Sequence, residues 1–121
     1  MDFLELAKAR YSCRSYTEQK VERDKIDKIL EAARVAPTAV NYQPQRILVI
    51  QDEEKLSKLS ECTKWIGYFD SQKVREIYKI PQNYEIVALM PVGYPAKDSK
   101  PSEAHYKRNN IESMVFWEEI E

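Results

Sequence analysis

Apolar and polar positions alternate along this chain with two periods. Near the start, Phe3, Leu6, Ala7 and Arg10 share one face at helical spacing, with Asp2 able to cap and Glu5 able to reach back, so residues 2–10 read as a short amphipathic helix. From about Glu22 to Ala36 the signal is stronger: Ile26, Ile29, Leu30 and Ala33 follow i, i+3, i+4, i+7, and Pro37 ends the run. Residues 38–44 hold Asn41 and end on Pro44, a loop signature. Arg46-Ile47-Leu48-Val49-Ile50 is a compact β-branched run, expected as a buried strand. Asp52 is placed to cap a helix reaching about Thr63, with Glu53 and Glu54 in its first turn and Leu56 and Leu59 inward. Asp70 is placed to cap another, with Val74, Ile77 and Tyr78 inward and Pro81 closing it. Residues 84–94 read as a second strand, apolar enough to be covered on both faces. A charged tail over 97–110 leads to Met114-Val115-Phe116-Trp117, expected as a strand or a docking segment.

Helices alternating with two good strands and one possible strand predict an α/β or α+β domain, taken as α+β with a small central sheet flanked by helices. So few strands make a poor sheet alone, which predicts a homodimer. Length fits one domain, taken as 1–121. Charge is balanced, with 19 Lys and Arg against 20 Asp and Glu. That gives no footprint of a nucleic-acid partner or a membrane surface. No apolar run approaches the roughly 20 residues that span a bilayer. Acids at the N-terminus, where a secretory signal carries bases, and two cysteines in no metal or redox spacing point to a cytoplasmic protein with free thiols.

The chemistry available is narrow. Two glycines, Gly67 and Gly93, exclude a glycine-rich dinucleotide loop and a Walker loop. A phosphate here must be held by side chains. Arg10 and Arg14, flanking Ser12, and Lys107 with Arg108 are the candidates, through bidentate guanidinium bonds and a hydroxyl donor. Each basic residue taken singly is more often an ordinary solvated charge. The loop from Pro37 through Thr38, Asn41 and Gln43 offers amides that both donate and accept. Such a set suits the edge of a planar heterocycle, or an ordinary loop with Asx turns. His105 sits in a polar tail, and a thiol nucleophile would have only that histidine as partner. Trp65, Tyr68, Phe69 and Tyr94 read as core rather than a stacking platform.

Three segments together resemble the nitroreductase family of FMN flavoproteins. Arg10-Tyr11-Ser12-Cys13-Arg14 is similar to its N-terminal R-x-S-x-R motif. Ala36-Pro37-Thr38-Ala39-Val40-Asn41-Tyr42-Gln43-Pro44 is similar to its A-P-S-x-x-N-x-Q-P segment. Trp65-Ile66-Gly67 followed by Lys107-Arg108 resembles its flavin-side W-I-G and late basic pair. The resemblance implies that Arg10, Ser12, Arg14, Lys107 and Arg108 hold the FMN phosphate and ribityl chain. It implies that Pro37, Thr38, Asn41, Gln43 and Gly67 border the ring, Gly67 through backbone donors. No catalytic side chain and no protein-bound metal are expected, since the cofactor carries the chemistry. NAD(P)H would donate a hydride, and a nitroaromatic, quinone or similar small acceptor would take the electrons. The chain departs from the family near 64–65, where Lys64 runs directly into Trp65 and a central strand, substrate-side segment and long helix are expected to be missing. A non-catalytic module that binds flavin weakly or not at all is therefore the alternative reading.

Overall fold

A computed structural model describes residues 1–65 and 68–120. It contains α1 (Phe3–Ala9), α2 (Arg23–Val35), α3 (Glu53–Ser60), β1 (Thr63–Trp65), β2 (Tyr68–Phe69) and α4 (Ser71–Tyr78), with 3-10 turns at Ala39–Asn41, Glu103–Tyr106 and Ile111–Ser113. The chain divides into two compact units, one of Met1–Gln19 with Gly93–Glu121 and one of Lys20–Val92. Among the described residues no helix is long and apolar enough to cross a membrane.

The helices stand where their caps put them. Asp2 accepts from the Glu5 amide at 2.8 Å while Glu5 accepts from the Asp2 amide at 2.9 Å, a closed capping box. Asp52 accepts from the Lys55 amide and Asp70 from the Lys73 amide, each at 3.0 Å. α4 ends on Lys79 in the left-handed conformation (φ 52), and its amide returns to Arg75 and Glu76. On α2 the half-buried positions are Ile26, Leu30 and Ala33, while Ile29, expected on the same face, is 42% exposed.

In the unit Lys20–Val92, α3 and α4 meet around Cys62 and Val74, the only buried apolar side chains among the described residues. The Tyr78 hydroxyl donates to the Lys55 carbonyl at 2.6 Å, and the Asp70 amide to the Cys62 carbonyl at 2.9 Å. Arg75 ties down the chain after α4 through the carbonyls of Ile80, Pro81 and Tyr84.

The sheet differs from expectation. β1 and β2 form one small antiparallel ladder with an irregular register. The runs 46–50 and 85–90, expected as strands, enter no ladder among the described residues, with Ile47, Leu48, Val87 and Met90 exposed. A β-run needs a neighbour to accept its backbone bonds, and none of the described residues supplies one there. Residues 114–117 likewise form neither a strand nor a buried segment.

In the other unit the chain ends are joined by a short antiparallel pairing. The Thr17 amide donates to the Tyr94 carbonyl at 2.8 Å and the Ala96 amide to the Ser15 carbonyl at 2.9 Å, flanking a bridge between Tyr16 and Pro95. Gly93 permits this approach, since a Cβ there would lie 3.0 Å from the Tyr16 ring.

Candidate functional site

Pairing of 15–17 with 94–96 brings the first basic motif against the charged tail. Tyr11, Cys13 and Ser15 bond across to the tail: the Tyr11 hydroxyl lies 3.1 Å from Ser99 Oγ, Cys13 Sγ lies 3.3 Å from the same oxygen, and Ser15 Oγ donates to Asp98 at 3.4 Å. Ser99 thus clips two side chains at once. Arg10, Ser12 and Arg14, with Tyr11 and Ser15 beside them, border a cavity of about 390 Å³ that is also lined from the tail by Asp98, Ser99, Lys100, Ser102, His105 and Arg108.

The cavity is strongly cationic. Arg10, Arg14, Lys100 and Arg108 face one carboxylate, Asp98, and none of these four bases enters an ion pair among the described residues. Arg108 folds back on its own turn, with Nη1 donating to the carbonyls of Ala104 at 3.0 Å and Lys107 at 2.8 Å, which leaves its other donors free for a ligand. Unpaired guanidiniums beside serine hydroxyls are the donor set that grips a phosphate. The hydrogen bond with Ser99 holds the Cys13 thiol below its ordinary titration range, against opposing desolvation.

Several expected residues fall elsewhere. Arg10, Ser12, Arg14 and Arg108 are brought together, but Lys107 does not border the cavity. Its place is taken by Lys100, and His105, expected as an exposed tail residue, lines the wall half-buried. After the turn Glu103–Tyr106, Arg108 borders the cavity and its neighbour Lys107 does not, a selection that adjacent basic residues do not reveal in sequence. Gly67 lies outside the described residues.

Pro37, Thr38, Asn41 and Gln43 belong to the other unit. Val40, Asn41 and Gln43 all have positive φ (53, 54 and 49), an uncommon cluster without glycine. Thr38 turns its hydroxyl inward to accept from the Gln43 amide at 2.9 Å. Gln43 borders a second cavity of about 330 Å³ with Leu30, Ala33, Arg34, Gln45, Arg46 and Ile47, whereas Pro37, Thr38 and Asn41 do not. Among the described residues no cluster of His, Cys, Asp and Glu could hold a metal ion.

Fold and cavity together define a small, helix-rich α+β protein with a cavity bordered by Arg10, Arg14, Lys100 and Arg108. Comparison with known proteins gives this class its family. The model of the nitroreductase family matches residues 7–64. An Archaeoglobus fulgidus protein named NADH dehydrogenase/NAD(P)H nitroreductase is 41% identical over 152 residues, covering 80% of this chain and 87% of that protein. A solved nitroreductase family protein from Clostridium difficile superposes with TM-score 0.78 at 30% identity, covering 99% of this chain and all of that one. The chain belongs to the nitroreductase family. It also matches FMN reductase [NAD(P)H] of Bacillus subtilis at 32% identity over 64% of this chain, but spans only 31% of that relative's length. With a Methanothermobacter thermautotrophicus relative, 43% identical, it likewise spans 32%.

Proposed function

We propose that this chain is an FMN-dependent oxidoreductase of the nitroreductase type, taking a hydride from NAD(P)H and passing electrons to a nitroaromatic, quinone or similar small acceptor. The observation that carries this reading is the meeting of Arg10, Ser12 and Arg14 with Arg108 in one cationic cavity. Four bases brought together around one carboxylate form a positive field that favours an anion. In this reading these residues and Lys100 hold the FMN phosphate, and Lys107 gives up that role. The strained loop holding Pro37, Thr38, Asn41 and Gln43, together with Gly67, serves the ring. FMN would supply the electron transfer, while the protein's own groups bind and orient.

The partner in this reading is a second copy. The unpaired runs 46–50 and 85–90 expose Ile47, Leu48, Val87 and Met90, and apolar segments so exposed call for cover. We place the protein in the cytoplasm and treat 1–121 as one shortened domain with its junction near 64–65. The alignment with the Archaeoglobus protein runs over more residues than this chain contains, which supports a missing internal segment.

That same observation favours a second reading, a non-catalytic remnant that binds flavin weakly or not at all. Purified chain separates the two. A yellow protein whose unfolding temperature rises with added FMN, and whose native mass is that of a flavin-loaded dimer, supports the enzyme. A colourless protein without FMN-dependent stabilisation supports the module.

A further inference from the structure

We propose that Asp98 is a specificity-determining residue of the first cavity, whose carboxylate accepts from a hydroxyl beside a bound phosphate and repels a phosphate that carries none; this rests on the reading of that cavity as the phosphate site. The ligand class it selects is the phosphate monoester of a polyol. All the residues involved lie in one compact unit, Met1–Gln19 with Gly93–Glu121. Asp98 is the one acid lining the cavity, among four bases, Arg10, Arg14, Lys100 and Arg108. Opposite charges sharing a cavity attract, yet Asp98 enters no ion pair with any of them among the described residues. Its oxygens are therefore not spent on neutralising the bases.

The carboxylate is placed by a turn pinned at both ends. The Ala96 amide donates to the Ser15 carbonyl at 2.9 Å, and the Ser99 amide closes the turn on the Ala96 carbonyl at 2.9 Å, with Lys97 and Asp98 at the corner. Ser99 Oγ is held 3.1 Å from the Tyr11 hydroxyl and 3.3 Å from Cys13 Sγ. Ser15 Oγ donates to Asp98 Oδ1 at 3.4 Å, a long bond, and Oδ2 accepts none among the described residues. An ionised carboxylate only accepts, while guanidinium and ammonium groups only donate. A phosphate in this cavity gains from the four bases and loses by closeness to the carboxylate. A hydroxyl on the neighbouring carbon supplies the donor that Oδ2 lacks and offsets that loss. The serine hydroxyls of the lining can also accept, but as neutral groups they form the weaker bond. A polyol phosphate monoester therefore satisfies bases and acid together, whereas a plain alkyl phosphate satisfies only the bases.

The test titrates the full chain, without added flavin, with glycerol phosphate and with propyl phosphate by phosphorus NMR. Salt is fixed and the pH is about 8, where both esters are dianions that differ only in their hydroxyls. Wild type is expected to bind glycerol phosphate about tenfold more tightly, the effect of one hydrogen bond to a charged acceptor. Asp98→Asn keeps a turn-forming residue and removes the charge. It is expected to bind propyl phosphate severalfold more tightly than wild type does. Its preference for glycerol phosphate is expected to fall to about threefold, because a neutral acceptor forms a bond roughly half as strong. Equal affinity of wild type for the two esters, or an undiminished preference in Asp98→Asn, overturns the inference and leaves the phosphate reading standing. Should Asp98→Asn fail to fold, Asp98→Ser, again a neutral turn residue, is read in the same way. A wild-type chain that binds neither ester overturns both.

Discussion

Replacing Arg14 by Ala removes one of four unpaired bases around the first cavity and leaves the ladder that builds it intact. The backbone pairing runs through Ser15 and Thr17, and the side-chain clips run through Tyr11, Cys13 and Ser15, so none depends on the Arg14 guanidinium. The loss is therefore local: one charged donor to a phosphate. Such a bond contributes about 1.5 to 3 kcal/mol, which weakens FMN binding by about 10- to 140-fold. Riboflavin, which has the same ring and no phosphate, is expected to bind the variant as it binds wild type. Titration by flavin fluorescence quenching at fixed salt gives both constants, and fixed salt matters because exposed charges are screened over about 8 Å at physiological ionic strength. Thermal unfolding of the apo variant checks that the fold is retained. Unchanged FMN affinity would show that the early arginines do not grip the phosphate. Equal losses for FMN and riboflavin would show that Arg14 supports structure instead.

Other outcomes follow from the same geometry. Lys100→Ala is expected to weaken FMN severalfold and Lys107→Ala hardly at all, since only Lys100 borders the cavity; the reverse order, read in the same titration, would restore the late basic pair. Cys13 is expected to react with a thiol probe well before buried Cys62, by mass-mapped alkylation. Because the folded Cys13 thiol titrates below its unfolded value, its contribution to stability is complete above the unfolded value and is lost as pH falls through the folded one. A Cys13→Ser chain should therefore gain less stability than wild type on going from neutral to mildly alkaline pH. Lys79→Gly is expected to raise stability by about 0.5 to 1 kcal/mol, because a side chain is disfavoured at the left-handed cap of α4. Arg75→Ala should lower it by about 1 to 2 kcal/mol through loss of three partly exposed carbonyl contacts, both read by denaturant titration.

What the sequence determined by itself was local. Asp2, Asp52 and Asp70 start their helices because a carboxylate reaches an amide three residues on, and Pro37 follows the end of α2 closely because its ring bars continuation. The basic motif around Ser12 was equally readable, as was the family its spacing resembles. Tertiary structure alone decided the rest. The runs 46–50 and 85–90 have strand composition, but pairing is a relation between segments, and the partner that would complete them is not specified locally. The cavity likewise exists only because residues 15–17 pair with 94–96, with Gly93 allowing close approach to Tyr16. Lys100 and Arg108 border it and Lys107 does not, because the path of the tail through the turn Glu103–Tyr106 decides which basic residues reach the cavity, and no periodicity in a charged, proline-containing tail encodes that path.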